Sequence, residues 1–301
     1  MAESRREEAE HSLREFSSQD YKIDYRIVDP WQSSYQPGSD SPDVEKCHGQ
    51  TQLELYPGDK IRDARQQGCV LFSGSIISRE QGLTVAHAIG RGTSPEIEIV
   101  CKSDNTARII GTGRAGPFRN LQRQDGRLLT ADLALLKLNT TRCTVGNTVW
   151  WPFRGADTAY RIKICKNEMI PDHTRVIILD QNGEFQNGCI HNDRFSDETI
   201  EGYDEGLHDV IAIRASEIKE VSVTQPGDSG ALVMSIPNRG DDVLQVYGIA
   251  IGICTKPDGK SLTIANSLWK VIREISTNEN YSAELGVGLH VVDGVPHIDF
   301  A

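Results

Sequence analysis

From Thr51 onward, the apolar residues of this chain come in short bursts, many alternating with polar positions and separated by clusters of Gly, Pro, Asn and Asp. Alternation with a period of two marks a half-buried strand, because successive side chains point to opposite faces. The clusters between bursts supply turns. Candidate strands are Gln52–Tyr56, Cys69–Ser78, Leu83–Ala86, Glu96–Lys102, Ala107–Gly111 and Leu133–Leu138. A second set comprises Tyr160–Cys165, Arg175–Asp180, Val210–Arg214, Gly230–Ser235, Leu244–Cys254 and Ser261–Ala265. The two sets divide near 150–158, and such regular short strands predict barrels or sandwiches. One segment changes period. Leu268, Val271, Ile272 and Ile275 recur at helical spacing within Ser267–Ser276, with Ser267 placed as N-cap. Upstream, residues 1–18 are mostly charged and read as a frayed arm. Tyr21–Val28 alternates and can add a strand, and 30–46 reads as a loop or linker.

Composition narrows the function classes. Lys plus Arg number 32 and Asp plus Glu 43, giving a formal charge of -11 over 301 residues. A chain this acidic does not neutralise a phosphate backbone in bulk, so no nucleic-acid partner is expected. Mean hydropathy is -0.40 and no apolar run reaches transmembrane length, so no membrane partner is expected either. The seven cysteines, Cys47, Cys69, Cys101, Cys143, Cys165, Cys189 and Cys254, are widely spaced with no CxxC pair. That argues against a clustered zinc site and for free thiols in a reducing compartment. The N-terminus is charged from the start, without the apolar stretch of a secretory signal, and a cytoplasmic location is expected.

Three segments carry chemistry. Gln225-Pro226-Gly227-Asp228-Ser229-Gly230 is a Gly-rich turn before a strand. It also has the parts that a hydroxyl nucleophile needs: a tight turn, glycines that allow close substrate approach, and amides at Gly227 and Ser229 that can face a developing oxyanion. Leu83-Thr84-Val85-Ala86-His87 ends an apolar run in a histidine, which is either a core histidine or a general base at a strand end. Thr130-Ala131-Asp132-Leu133-Ala134-Leu135 places one carboxylate before an apolar strand, as a turn residue or as a buried acceptor for an imidazole N–H.

In the order His…Asp…Ser, with gaps of 45 and 97 residues, these segments resemble the chymotrypsin-like (trypsin-like, peptidase S1 superfamily) serine peptidases. GDSG resembles the nucleophile motif, TVAHA the TAAHC motif, and ADLALLKL the strand after the catalytic Asp. Gly68–Ile89 and the ADLALLKL stretch also resemble the disulfide-free HtrA-type branch. The likeness covers roughly residues 50–276.

The resemblance implies an all-β fold of two six-stranded antiparallel β-barrels with a C-terminal helix. Residues 1–50 would be an arm and linker, 51–157 the first barrel, 158–266 the second, and 267–301 the helix and tail. It implies a serine endopeptidase that needs no cofactor or metal. Ser229 would be the nucleophile, His87 the base and then the acid, and Asp132 the group that orients His87. The amides of Gly227 and Ser229 would form the oxyanion hole. By family alignment, Val223 falls at the base of the pocket for the P1 side chain and Ile251-Gly252-Ile253 in the substrate-binding strand. Val223 offers no carboxylate, so an apolar or small P1 residue is expected.

The chain departs from the secreted enzymes in two places. Ala88 follows the histidine, with Phe72 and Ser73 where its disulfide partner would lie. Asp228 precedes the nucleophile as in the secreted branch, but Arg26-Ile27-Val28-Asp29 only faintly matches an activation-cleavage site. Asp228 is therefore expected to find a donor other than a new N-terminal amine.

The expected partner is a protein or peptide substrate. The alternative function is a non-catalytic module of the same fold that holds a partner's extended segment, and self-processing is a third option. Trp150-Trp151 reads as inter-barrel core, Asp197–Glu205 as a solvated acidic loop.

Overall fold

The computed structural model describes residues 53–65, 68–74, 81–89, 94–100, 106–146, 148–153, 156–167, 169–191, 206–215, 221–237, 240–255, 260–278, 280–281, 287–292 and 295–300. The arm, the 26–29 motif, the 30–46 linker, Asp197–Glu205, Cys47 and Cys101 lie outside them. The described chain opens with eight strands: β1 (Leu53–Leu55), β2 (Lys60–Asp63), β3 (Val70–Leu71), β4 (Gln81–Thr84), β5 (Glu96–Val100), β6 (Ala107–Gln122), β7 (Leu128–Leu138) and β8 (Cys143–Val145). Six of them form one antiparallel sheet in the order β3-β2-β5-β6-β7-β4. The sheet curls until its ends meet: Ser73 N donates to Leu83 O at 2.8 Å, and Leu83 N to Gly74 O at 3.0 Å.

Eight more strands follow: β9 (Thr148–Phe153), β10 (Ala156–Ile164), β11 (Arg175–Leu179), β12 (Phe185–Ile190), β13 (Ile211–Arg214), β14 (Leu232–Ser235), β15 (Val243–Thr255) and β16 (Ser261–Ser267). Their order is β14-β11-β12-β13-β16-β15-β10-β9, and an extra β14–β15 pairing closes six of them into a barrel. Helix α1 (Leu268–Thr277) comes next, then a hairpin of β17 (Val287–Val292) and β18 (Val295–Phe300). Two six-stranded curled sheets joined in one chain, with a C-terminal helix, make the chymotrypsin-like fold that the motifs implied.

The structure also departs from the expected layout. Ribbon β9–β10 lies outside the closed barrel and attaches to the start of β15 in parallel, with Arg161 opposite Val243. A second parallel pair, β1–β8, stands apart from both sheets. The chain changes sheet after β8, and β9, which overlaps the division expected near 150–158, belongs to the second sheet. Strand β12 was not legible because Gly188 and two amide residues interrupt its pattern; a Cβ at Gly188 would stand 2.6 Å from Ile213 and 3.1 Å from Val223. The tail carries the β17–β18 hairpin. Trp150 is 49% exposed and therefore not core.

One apolar cluster spans both halves, taking in Leu83, Leu133 and Leu135 from the first sheet, Ile249 and Ile264 from the second, and Leu268 and Ile272 from α1. A second cluster, with Val176, Ile178, Ile213 and Val233, fills the closed barrel. Helix α1 forms as its spacing predicts, with Leu268, Val271, Ile272 and Ile275 buried. Ser267 is its N-cap as expected, in extended conformation, and its hydroxyl makes no capping bond. Cys69, Cys143, Cys165, Cys189 and Cys254 are free thiols.

Candidate active site

Strand β7 explains where the carboxylate goes. Nine of its eleven residues are buried, and only the first position, Leu128, and Lys137 are exposed. An antiparallel strand with one wet face would alternate; this one is covered on both faces, by its own sheet and by β16 and α1. Asp132 therefore sits at 0% exposure. A buried carboxylate is tolerated only with donors around it, and the register supplies them. Thr84 pairs with Ala134, so the chain leaving β4 turns over Asp132 in a short 3-10 segment, Ala86–Ala88. Asp132 Oδ1 accepts the amides of Ala86 at 2.6 Å and His87 at 3.0 Å. Its Oδ2 lies 2.5 Å from His87 Nδ1.

That contact puts the imidazole proton on Nδ1 in the neutral ring, leaving Nε2 as acceptor. The imidazole is 29% exposed. Burial is the strongest single influence on its pKa and acts to lower it, but the hydrogen bond and charge of Asp132 together outweigh it, and the pKa is raised above the ordinary 6.5.

Ser229 is held by a turn that leaves little freedom. Asp228 N donates to Gln225 O at 3.0 Å and Ala231 N to Asp228 O at 2.9 Å. Gly227 (φ +102°) and Gly230 (φ +94°) occupy the left-handed region. Gly230 is fixed from three sides. Its amide donates to Ala250 O at 2.9 Å, its carbonyl accepts Ser73 Oγ–H at 2.7 Å, and a Cβ would lie 2.1 Å from Leu71 O. Ser73 thus ties the Ser229 turn to the chain that follows β3. Within the turn the amides of Asp228, Gly230 and Ala231 are used, while among the described residues those of Gly227 and Ser229 have no acceptor.

Asp228, 1% exposed, finds donors as expected: Gln225 N to Oδ2 and Gln181 N to Oδ1, both at 2.8 Å. Burial raises its pKa, against the opposing pull of these two amides. Gln181, at the tip of the β11–β12 hairpin, also donates from Nε2 to Pro226 O at 2.9 Å.

The structure joins the two halves of the site through main chain. Leu71 N donates to Ser229 O at 2.8 Å, and Leu71 O accepts Thr84 Oγ1–H at 2.9 Å, three residues before His87. Asn266 Nδ2 donates to Asp132 O at 2.6 Å. Among the described residues, Ser229 and His87 are not hydrogen-bonded to each other.

On the substrate side, Val223 is half-buried and packs against the barrel core. Thr263 Oγ1 accepts the amides of Val223 at 2.9 Å and Thr224 at 3.0 Å. With both lone pairs taken, its proton goes to Thr224 Oγ1 at 2.8 Å, leaving the Thr224 proton available as a donor. Of the expected binding strand, Gly252 and Ile253 pair with Ile264 and Thr263, while Ile251 is the extra residue of a β-bulge and is buried in the inter-barrel core. Sequence reading missed Leu71, Gln181, Thr263 and Asn266. Asn266 alone gave a signal, as a polar residue in an apolar strand.

No family model and no curated protein matches the chain. Similar solved structures include Thermobifida fusca protease A (13% identity, 73% of this chain and 95% of that one, TM-score 0.45). Nocardiopsis protease (15% identity, 73% and 96%, TM-score 0.45) and Cellulomonas bogoriensis chymotrypsin (14% identity, 73% and 95%, TM-score 0.46) are others.

Proposed function

We propose that this chain is a serine endopeptidase. The observation that carries the reading is the 2.5 Å contact of His87 Nδ1 with the fully buried Asp132. It fixes the tautomer in which Nε2 can take a proton. Ser229 Oγ attacks the scissile carbonyl as its proton passes to His87 Nε2. The open amides of Gly227 and Ser229 receive the oxyanion. His87 then gives the proton to the leaving amine, which breaks the peptide bond and leaves an acyl-Ser229. Water, deprotonated by His87, releases the acid and restores the serine. Asp132 holds the ring in place and faces the imidazolium as it forms. The substrate is a protein or peptide with an apolar or small P1 residue. Five free thiols favour a reducing, cytoplasmic setting. Among the described residues, no helix is long and apolar enough to cross a membrane.

Fold alone does not establish activity, and the alternative reading is a module that binds an extended segment without cutting it. A fluorophosphonate probe separates the readings. Labelling of the wild type and its loss in Ser229→Ala supports the peptidase; a folded wild type that stays unlabelled supports the module. Mass spectra of the same two proteins detect self-processing.

A further inference from the structure

Asn266 has no part in the reaction scheme above, yet it is fully buried and reaches across the seam between the two sheets. Its Nδ2 donates to the main-chain carbonyl of Asp132 at 2.6 Å, between residues 134 apart in the chain. Its Oδ1 is buried with no partner among the described residues. An orphaned buried acceptor is destabilising by roughly 1–3 kcal/mol. A leucine of similar volume would avoid that cost, so packing alone does not account for an asparagine here. The amide orientation follows from the partner: only the NH2 end can face a carbonyl.

The neighbours of Asn266 give the contact its meaning. On β15, Ile249 stands opposite Asn266 and Ala250 opposite Ala265. Ala250 O is the acceptor of Gly230 N, directly after the nucleophile. The β15–β16 pair therefore grips the Ser229 turn with one strand and the Asp132 main chain with the other.

We infer that Asn266 is a positioning residue: it sets the placement of Asp132, and through it His87, relative to the Ser229 turn. The inference rests on the peptidase reading for its catalytic consequence, but not for its structural one. Misplacement by about 1 Å is enough to cost on the order of 10²-fold in rate.

The test compares wild type, Asn266→Leu and the control Asp209→Ala. Asp209 bridges Arg123 and Lys270 at 3.0 and 2.6 Å, so the control loosens the same seam without touching Asp132. The first readout is the low-field proton resonance of the His87 Nδ1–H against Asp132, which needs no turnover. The second is the split between kcat and KM, with the acid limb of kcat/KM against pH. In Asn266→Leu the resonance should move upfield or broaden, kcat should fall about 10- to 100-fold with KM little changed, and the acid limb should move toward 6.5. Asp209→Ala should lower Tm and leave all three in place. If Asn266→Leu does not fold, Asn266→Ala is read instead. A folded variant with wild-type resonance and kinetics overturns the inference, as does a control that shifts the resonance equally. If the wild type shows no turnover or probe labelling, the resonance alone decides: its loss in Asn266→Leu upholds the positioning role while the peptidase reading falls.

Discussion

Leu71 lies in the first sheet, yet its amide holds the carbonyl of Ser229 at 2.8 Å and its side chain belongs to the core of the second barrel. Through Thr84, whose hydroxyl donates to Leu71 O, the same residue ties the Ser229 turn to the strand that leads into His87. The two halves of the site thus share a main-chain strut, and the side chains at its ends need only short local adjustments.

That strut has no room for a methyl group at Gly230. A Cβ there would stand 2.1 Å from Leu71 O, a backbone atom that cannot swing away, and φ is +94°. Gly230→Ala should cost at least about 3 kcal/mol or prevent folding. Gly126 has φ +79° but open space around it, so Gly126→Ala should cost only the backbone strain, about 1 kcal/mol. Denaturant melts of the two variants check the contrast. Equal stabilities would show that strain, not the Leu71 contact, governs position 230.

The base must be neutral to work, and the His87 pKa is raised above 6.5. The acid limb of kcat/KM should accordingly fall above pH 6.5, with activity lost as pH drops through it. Asp132→Asn removes the hydrogen bond and charge that raise it, so the limb should move below its wild-type position and kcat should fall on the order of 10⁴-fold. The stability sign is the reverse of the activity sign: the pair's contribution is full below pH 6.5 and fades as pH rises through the folded-state value.

Asp228 accepts two amides, and Asn has one acceptor to offer in its place. Asp228→Asn should leave Gln181 N or Gln225 N without a partner and destabilise by about 1–3 kcal/mol. Because burial raises the Asp228 pKa above 3.8, the folded state binds more protons than the unfolded one between 3.8 and that raised value. Wild-type stability from this group therefore falls as pH rises through that window, and the Asn variant lacks the fall. Thermal melts from pH 3 upward should show the gap between the two proteins narrowing.

A peptide library should return apolar or small residues at P1, with Arg and Lys disfavoured, since Val223 supplies no counter-charge. Thr263→Val should loosen this selectivity as well as lower Tm, because it strips the acceptor from the amides of Val223 and Thr224. A profile dominated by Arg or Lys would sink the assignment of Val223.

The parts of the site legible in the sequence are those encoded locally. His87 sits beside its own apolar run, and Ser229 within its own glycine turn. Strand β7 was legible from Leu133 but not from Leu128. Its buried polar residues are covered by a distant segment: Thr130 N donates to His208 O, and Thr130 Oγ1 accepts His208 N, both at 2.8 Å. No window around Thr130 contains that partner. Asn266 showed only as a polar residue in its strand; its partner, the Asp132 carbonyl, lies 134 residues away. Gln181 is unremarkable in its hairpin tip and acquires a role only because the tip folds under the nucleophile's turn.

The order in which the chain is made gives the strut and the tether a further consequence. Contacts between residues so far apart in sequence form late, and Ser73 meets Gly230 across 157 residues. A nascent chain that has just completed Ser229 already carries His87, Asp132 and Ser229. It still lacks Ala250, which accepts the Gly230 amide, and Asn266, which donates to the Asp132 carbonyl. Cleaving power should therefore arrive as a single late event, after β16 has been synthesised and docked. On the peptidase reading, the half-made protein, with its own unfolded strands beside it, is until then protected from itself.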